Sequence, residues 1–316
     1  LVTGGAGFIG SHVVEALVAR QERILCLDNF DQFYDPDLKR ANRRAVMEKP
    51  NVTLVEADIR DRERLEALCE SHQVDRIFHA AARAGVRPSL LDPLLYEDVN
   101  VRGTIIMLEV ARRRPLKTFV FASSSSVYGG LQTVPFSETA SLSRPISPYA
   151  ATKLAGELMC YTYHHLYGLP ITCLRLFTVY GPRQRPEMAI HQFVRLIDAG
   201  QPVPLFGDGT TRRDFTYIDD IVQGVMAALD RPCPFEVFNL GESDTIELKD
   251  LIGVIEQCVG KQARIQALPA QPGDMPVTYA DISKARRSLN YRPTTPVKEG
   301  VRLFVDWFQA RQRGEI

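Results

Sequence analysis

A glycine-rich turn near the start of the chain constrains its fold more than any other feature. The run Gly4-Gly5-Ala6-Gly7-Phe8-Ile9-Gly10 follows a short apolar strand and opens a helical pattern. Glycines at positions 4, 7 and 10 permit a tight turn, a close approach of backbone to a diphosphate, and close packing of helix on strand. The start of the helix adds N–H groups and a positive dipole end. This spacing predicts a dinucleotide-binding βαβ unit.

The rest of the first half alternates strand and helix patterns, as expected for a parallel sheet. Apolar runs predict strands over 23–28, 52–57, 76–80, 118–122 and 171–177, and helical spacing predicts helices over 9–19, 62–70, 99–113 and 148–166. The fold class is therefore α/β, with a Rossmann-like, doubly wound parallel sheet. From Gly181 onward the chain has more Pro and Gly and longer loops. We expect a Rossmann domain over 1–175, joined by returning later segments, and a smaller α/β domain over 176–316.

An acidic residue at the end of the second strand identifies the expected cofactor. Asp28 stands 18 residues after Gly10, near the ~20 at which an acid meets the adenosine ribose. Its carboxylate would repel a 2′-phosphate, which favours NAD over NADP. The basic stretch Lys39, Arg40, Arg43 and Arg44 argues the other way, but it lies well beyond the strand end and is interpreted as a solvated helix face.

Further cofactor contacts are expected where the other strands end. The glycine turn contributes Gly4, Gly7, Phe8, Ile9 and Gly10, and the second strand contributes Asp28 and Asn29. The third and fourth strands are followed by Asp58, Ile59, Ala80, Ala81 and Ala82. Packing at the sheet end is the alternative explanation for the residues of these last two strands.

Composition excludes several other classes of protein. Of 316 residues, 38 are Lys or Arg and 38 are Asp or Glu, so no net charge attracts nucleic acid or a membrane surface. No window is apolar enough for a transmembrane helix. Six scattered cysteines without CxxC pairing predict free thiols in a reducing cytoplasm, and six histidines without ligand spacing predict no metal site. The chain begins at Leu1 inside a strand pattern, so we expect residues to precede it.

A second motif predicts the chemistry. In Ser147-Pro148-Tyr149-Ala150-Ala151-Thr152-Lys153, Ser147 is a helix N-cap, which places Tyr149 and Lys153 one turn apart on one face. A phenol acts as a base only if its pKa falls well below ~10, and an ammonium and a helix N-terminus both favour the phenolate. The run Ser123–Ser126 follows an apolar strand and offers a hydroxyl nearby. A surface Tyr/Lys pair is the alternative interpretation.

Together these motifs resemble the extended short-chain dehydrogenase/reductases that act on nucleotide sugars. The resemblance covers nearly the whole chain and includes Val127-Tyr128-Gly129 after the serines. Leu176–Ala189 and Arg213–Asp220 are similar to the UDP-glucuronate 4-epimerases in particular, as is the segment from Asp28 to Arg40. The family implies an NAD-dependent isomerase, in which Tyr149 takes the proton of the C4 hydroxyl, Lys153 lowers the Tyr149 pKa and holds the nicotinamide ribose, and Ser124 shares the hydrogen bond to O4.

The resemblance also implies how the sugar is recognised. UDP-galactose 4-epimerases have asparagine in place of Thr178, and the family's dehydratases and uronate decarboxylases have glutamate in place of Ser126. These differences favour a C5 carboxylate held by Ser125, Ser126, Thr178 and Arg185, although a polar loop and a surface turn explain the same residues without a ligand. A UDP-glucose/galactose epimerase, a nucleotide-sugar lyase and a silent NAD-binding protein remain the alternative functions.

The family implies three further features. Arg213 matches an arginine that grips the diphosphate, although an arginine in a polar loop is usually just solvated. Asp274 lies in a nucleotide-contacting segment, in which Gln271 replaces the usual arginine. The helices over 99–113 and 148–166 commonly pair across a two-fold axis in the family, which implies a homodimer.

Overall fold

Seven parallel strands form the central sheet of the computed structural model, which describes residues 1–47, 49–269 and 275–315. The first strands along the chain are β1 (Val2–Thr3), β2 (Ile24–Asp28), β3 (Val52–Glu56), β4 (Arg76–His79), β5 (Thr118–Ser124) and β6 (Ile171–Leu176). The later ones are β7 (Thr178–Tyr180), β8 (Pro202–Phe206), β9 (Arg212–Arg213), β10 (Phe215–Tyr217), β11 (Phe235–Leu240), β12 (Ile246–Glu247) and β13 (Arg264–Leu268).

The strand order in the sheet is β11-β6-β5-β4-β1-β2-β3. The chain runs outward from β1 to β3 on one side and then from β4 outward on the other, so the order reverses between β1 and β4. In such doubly wound sheets ligands bind beyond the carboxyl ends of the strands at this reversal. The strands β1, β2, β4 and β5 all end there. The observed sheet confirms the predicted α/β class.

Helices cover both faces of the sheet. In the first half they are α1 (Phe8–Ala19), α2 (Pro36–Asn42), α3 (Arg44–Met47), α4 (Arg62–Ser71), α5 (Val86–Leu91), α6 (Pro93–Glu97), α7 (Gly103–Ala111) and α8 (Pro148–Tyr167). In the second half they are α9 (Ala189–Asp198), α10 (Ile218–Asp230), α11 (Leu248–Val259), α12 (Ser283–Leu289) and α13 (Val297–Gln312). One π-helical turn, Asp98–Arg102, precedes α7, and one 3₁₀ turn, Ser125–Tyr128, follows β5.

The second half of the chain both returns to the sheet and builds small sheets of its own. Strand β11 pairs in parallel with β6 over their whole length. Three two-stranded sheets, β10 with β7, β12 with β9, and β13 with β8, lie outside the central sheet. The pairing of β7 with β10 brings Thr178 opposite Phe215. Two of the chain's sequence motifs are thereby joined at the end of the main sheet.

Two hydrophobic clusters hold these layers together. One cluster joins α1 to the helices of the second half, and the other lies where α4, α7 and α8 pack on the sheet. Burial of this apolar surface is the main driving force for folding. Within the described residues, no helix is long and apolar enough to cross a membrane.

Candidate active site

One cavity of about 380 Å³ lies at the carboxyl ends of the central strands. All predicted cofactor contacts line it, namely Gly4, Gly7, Phe8, Ile9, Gly10, Asp28, Asn29, Asp58, Ile59, Ala80, Ala81, Ala82, Tyr149 and Lys153. Ser124, Ser125, Ser126, Thr178 and Arg185 line the same cavity. The fold therefore brings residues separated by up to 181 positions to one site.

The glycine turn is packed too closely for larger residues. Gly4 has a φ of +68°, in the left-handed region that side chains rarely adopt. A Cβ on Gly10 would lie 2.1 Å from the Gly4 carbonyl oxygen, so the first turn of α1 rests directly on the turn before it. Gly7 is the N-cap of α1 and has no side chain to cover the helix start. The unfilled N-terminus is suited to a diphosphate.

Asp28 stabilises the loop beyond β2. Its carboxylate accepts hydrogen bonds from the backbone N–H of Ala6 at 3.1 Å and of Phe30 at 2.9 Å. Asp58 accepts from Asn29 at 2.9 Å and from the Arg60 guanidinium at 2.8 Å. These hydrogen bonds from Arg60 lower the Asp58 pKa to about 2. Both carboxylates line the main cavity.

A buried histidine, to which the sequence analysis gave no role, fixes the end of β4. Thr3 Oγ1 lies 2.7 Å from His79 Nδ1, and His79 Nε2 lies 3.1 Å from Thr104 Oγ1. The Thr104 hydroxyl donates to the Asn100 carbonyl, so it accepts from His79 Nε2–H. Burial lowers the His79 pKa to about 3 and keeps the ring neutral. This series of hydrogen bonds holds Ala80 to Ala82 against the glycine turn.

Helix α8 begins as the sequence predicts. The Ser147 hydroxyl accepts from the Ala150 N–H at 3.1 Å, and Pro148 occupies the first helical position of α8. Ser89 Oγ also accepts the Tyr149 N–H at 3.1 Å. Tyr149 and Lys153 then lie one turn apart on the face that lines the cavity.

The electrostatic surroundings of this pair differ from the expectation. Lys153 Nζ donates to the Ala122 carbonyl at 2.8 Å, and burial lowers the pKa of its ammonium to about 8. Burial raises the Tyr149 pKa, whereas a hydrogen bond with Ser124 and the charge of Arg185 lower it. Burial is the largest of these effects, so the Tyr149 pKa is raised overall, and Ser124 and Arg185 rather than Lys153 oppose the increase.

A buried polar network supports the serine run from behind. Ser123 Oγ donates to Glu157 at 2.5 Å, and Glu157 forms an ion pair with Arg175 at 2.7 Å. Arg175 also donates to the Tyr128 hydroxyl at 2.8 Å, which in turn donates to Asn239. The two charges are 6% exposed and compensate one another. The network joins β5, α8, β6 and β11 directly beneath the cavity.

The predicted sugar contacts fall into two neighbouring cavities. Ser125, Ser126 and Thr178 line both the main cavity and a smaller one of about 150 Å³. Arg185 lines the main cavity, with its Nε donating to Glu187 at 2.7 Å. Arg213 lines only the smaller cavity, beside Thr278. Asp274 and Gln271 lie outside the described residues.

The structure adds cavity residues that the sequence reasoning missed. Asp31, Lys39 and Arg83 line the main cavity, and Arg83 forms an ion pair with Asp31. Interpreting the basic stretch as a solvated helix face is wrong for Lys39, which is 7% exposed and donates to the Asp31 carbonyl at 2.9 Å. The loop before α2 folds back on this helix and buries the lysine. The one available signal was the position of the stretch directly after the β2 loop.

Other side chains that can bind a metal or form disulfides are dispersed. Among the residues that the structure describes, no group of three or more His, Cys, Asp or Glu side chains could hold a metal ion. All six cysteines are free thiols, and four of them are buried.

Comparisons with known proteins agree with this geometry. A family model described as GDP-mannose 4,6 dehydratase matches residues 1–304. UDP-glucuronate 4-epimerase from Thermodesulfobacterium geofontis is 43% identical over 97% of this chain and 95% of the relative, and UDP-glucuronate 4-epimerase 4 from Arabidopsis thaliana is 43% identical over 100% and 76%. A crystal structure of UDP-glucuronic acid 4-epimerase from Bacillus cereus with UDP-glucuronic acid and NAD superposes with a TM-score of 0.93. It is 38% identical and covers 98% of both chains.

Proposed function

The chain belongs to the extended short-chain dehydrogenase/reductase family of nucleotide-sugar epimerases, and we propose that it interconverts UDP-glucuronate and UDP-galacturonate at C4. The observation that carries this proposal is the single cavity that joins the cofactor residues, Tyr149 and Lys153 to Thr178 and Arg185. The protein is an NAD-dependent UDP-sugar 4-epimerase. Our choice of a uronate as its substrate rests on the polar side chains of the cavity around Thr178 and Arg185.

The residues present fit NAD. The bare helix start at Gly7 and the tight contact of Gly10 on Gly4 leave backbone N–H groups for a diphosphate, and Asp28 and Asp58 face a ribose site. Ala80, Ala81 and Ala82 leave the opposite wall without bulky side chains. NAD supplies a reversible hydride acceptor, so that epimerisation proceeds without net oxidation.

Tyr149 is the base in this proposal. It accepts the proton of the C4 hydroxyl and later returns it, while Ser124 holds O4 by a hydrogen bond. Such positioned proton transfer is typically worth 10²–10⁴-fold in rate. Lys153 holds the nicotinamide ribose, and its charge favours the phenolate once the cavity is filled. The carbonyl formed at C4 of the sugar then turns over in the cavity before reduction on its other face.

A uronate makes a special demand on the site. Oxidation at C4 creates a β-keto acid, which loses CO₂ readily when its carboxylate rotates out of the carbonyl plane and its charge is weakly held. An enzyme that epimerises this substrate must therefore fix the carboxylate with hydrogen bonds that favour the charged form.

The side chains around Thr178 meet that demand. Ser125 and Ser126 stand in the 3₁₀ turn after β5, Thr178 starts β7, and Arg185 approaches from the loop after β7. Three hydroxyls and one guanidinium thus line the same cavity as Tyr149. Arg213 in the adjoining smaller cavity is placed to grip the diphosphate, for which a bidentate guanidinium is well suited. We assign Asp274 to the same nucleotide from the family resemblance.

The test compares UDP-glucuronate with UDP-glucose as substrates. The wild-type protein is expected to prefer UDP-glucuronate strongly, with a product of unchanged mass. Thr178→Ala and Arg185→Ala should lower kcat/KM for UDP-glucuronate by about ten- to hundredfold, which corresponds to the ~1.5–3 kcal/mol of a hydrogen bond to a charged group. They should affect residual UDP-glucose turnover less and let pentose products appear. Equal turnover of both sugars, or an unchanged ratio in both variants, would disprove the carboxylate site.

Product mass also separates the epimerase from a lyase. Loss of water or CO₂ lowers the mass, whereas epimerisation conserves it. Serine at position 126, where the family's lyases carry glutamate, supports the epimerase.

The same proposal includes the organisation of the protein. We assign residues 1–175 with the returning strands to NAD binding and residues 176–316 to the nucleotide sugar. A homodimer through α7 and α8 is supported by exposed apolar side chains on and beside α8, and a reducing compartment such as the cytoplasm suits six free thiols.

A further inference from the structure

Arg183 occupies a backbone conformation that arginine rarely adopts. Its φ is +67°, in the left-handed region where residues other than Gly and Asn are uncommon. Such conformations persist only where surrounding contacts hold them, and they cluster near functional sites. Arg183 lies two residues before Arg185, in the turn over residues 181–188 that follows β7. What holds Arg183 in place therefore also sets the position of Arg185.

The side chain of Arg183 docks this turn onto α1. Its guanidinium donates to both carboxylate oxygens of Glu15, at 2.8 and 2.5 Å, and to His12 Nδ1 at 3.0 Å. His12 Nε2 lies 2.9 Å from the Pro182 carbonyl and donates to it. Burial and the neighbouring guanidinium lower the His12 pKa to about 3, so the ring is neutral and accepts from Arg183. Two residues of the turn are thus tied to one face of α1.

The next residue fixes the other side of the turn. Gln184 donates through Nε2 to the Val179 carbonyl at 3.1 Å, and its Oε1 accepts from the His191 N–H at 3.1 Å. Residue 183 therefore anchors the turn to α1, and residue 184 anchors it to β7 and α9. Between these anchors and Glu187, Arg185 projects into the main cavity.

The anchor on α1 leads back to the glycine turn. Helix α1 starts at Phe8, which lines the cofactor end of the cavity and packs edge-on against His12. Arg183 also donates to the Asn42 carbonyl at 3.4 Å, and the Asn42 amide donates to the Ala6 carbonyl at 3.1 Å. The turn that carries Arg185 is thereby attached to the same helix and loop that face the cofactor.

We propose that Arg183 is a positioning residue that docks the turn over residues 181–188 on the cofactor-binding helix and so holds Arg185 at the sugar's C5 group. This inference rests on the proposed function of Arg185. It explains why an arginine is kept in a left-handed conformation, since the bidentate pair with Glu15 compensates for the strain. It also makes discrimination between sugars depend on residues that touch no sugar.

The test measures kcat and KM of the holoenzyme for UDP-glucuronate and UDP-glucose. Arg183→Gly relieves the strain of the positive φ but removes the anchor. Arg183→Lys keeps one positive charge without the bidentate guanidinium. Glu15→Gln removes only the negative charge that pairs with Arg183. Small misplacements of a substrate-positioning group cost up to about 100-fold. All three variants should therefore lower the preference for UDP-glucuronate over UDP-glucose by about 10- to 100-fold, mainly through KM for UDP-glucuronate. Bound NAD and the melting temperature serve as checks on folding.

A matched control and a double variant separate docking from general damage. Asp230→Asn breaks the exposed pair between Arg20 and Asp230 at the other end of α1 and should leave the preference unchanged. Added to Arg185→Ala, Glu15→Gln should not lower the preference further, because its effect passes through Arg185. If Arg185→Ala lowers the preference while Arg183→Lys and Glu15→Gln keep the wild-type value, the docking role is wrong. If Arg185→Ala itself leaves the preference unchanged, the assignment of Arg185 to the carboxylate is wrong, and the docking role of Arg183 in sugar discrimination is wrong as well.

Discussion

Burial and neighbouring polar groups shift the pKa of Tyr149 in opposite directions. Burial raises the pKa of its phenol, while Ser124 and the Arg185 charge lower it, and burial lowers the Lys153 pKa to about 8. The active form needs a phenolate beside an ammonium. Here the phenol has the higher pKa and the ammonium the lower one. The population of the phenolate–ammonium form therefore grows with pH up to the ammonium pKa and is constant between the two pKa values.

We therefore expect kcat to rise about tenfold per pH unit below a break near the Lys153 pKa of about 8, and to be flat above it. Lys153→Arg keeps its charge at every accessible pH, so the break should move to higher pH. Tyr149→Phe should lower kcat at least ~10²-fold throughout, whereas Tyr167→Phe, at the exposed end of α8, should not. The measurement is kcat against pH with saturating substrate. A break at the same pH in Lys153→Arg would contradict the assignment.

Asp28 is expected to select the cofactor. Its carboxylate is held by the N–H groups of Ala6 and Phe30, so it cannot swing away from a ribose bound beside it. A 2′-phosphate there would meet a fixed negative charge. Calorimetry on protein stripped of cofactor should show clearly tighter binding of NAD than of NADP, and Asp28→Ser should narrow the difference. Asp37→Asn, which removes an exposed carboxylate of α2 outside the cavity lining, is the control and should leave the difference unchanged. Equal affinity of the wild-type protein for both cofactors would contradict this role.

The helix α1 depends on one contact at its first turn. A Cβ at residue 10 would lie 2.1 Å from the Gly4 carbonyl oxygen, and backbone cannot yield as a side chain does. Gly10→Ala should therefore destabilise the protein by about 1–3 kcal/mol, as overpacking does, and weaken NAD binding, because the turn that holds the diphosphate must shift. Thermal unfolding and calorimetry measure the two effects.

Gly253→Ala is the matched control for this change. Gly253 lies inside α11, and outside the helix's own adjacent backbone no atom lies within 4 Å of the added Cβ, so alanine should stabilise the helix by about 0.5–1 kcal/mol. Normal NAD binding by Gly10→Ala would show that the turn is not the diphosphate site.

The elements most visible in the sequence are those with local causes. Periodicity and capping residues located α1, α4 and α8 to within a residue at each end, since apolar spacing and caps such as Ser147 act within a turn. The helix predicted over 99–113 is instead a π-helical turn, Asp98–Arg102, followed by α7. The extra residue of that turn aims the Asn100 amide at Arg83 and Thr152. Periodicity cannot reveal such an insertion, because its cause lies in other elements.

The candidate site shows the same limit on the scale of the whole molecule. Motif spacing identified residues such as Asp28 and Tyr149, whose roles follow from their own strand or helix. It missed Lys39, which the folded loop after β2 brings to the cavity wall, and Arg83, which follows β4 and pairs with Asp31 of that loop. It also gave Arg183 no role, since Glu15 lies 168 positions away. Contacts between distant segments depend on topology, which local patterns do not encode.

The apolar surface of the molecule is concentrated around α8. Leu91 and Leu94, before and at the start of α6, are 88% and 79% exposed, and Leu158 and Tyr161 on α8 are 61% and 53% exposed. Helices α5 and α6 both pack beside α8. A contiguous exposed apolar patch commonly marks an interface between proteins. The zero net charge adds no repulsion between two copies.

We therefore expect the protein in solution to have twice its chain mass of 35.5 kDa, and Leu158→Glu to reduce this to the mass of one chain, because a buried unpaired carboxylate in the interface is costly. Ile265→Glu introduces the same charge at a half-exposed apolar residue of β13, away from α8, and should leave the dimer intact. Light scattering after gel filtration measures both masses. Since α8 also carries Tyr149 and Lys153, the Leu158→Glu monomer should have a lower melting temperature and a lower kcat. A wild-type monomer, or a Leu158→Glu protein that still has the dimer's mass, would place the interface elsewhere or remove it.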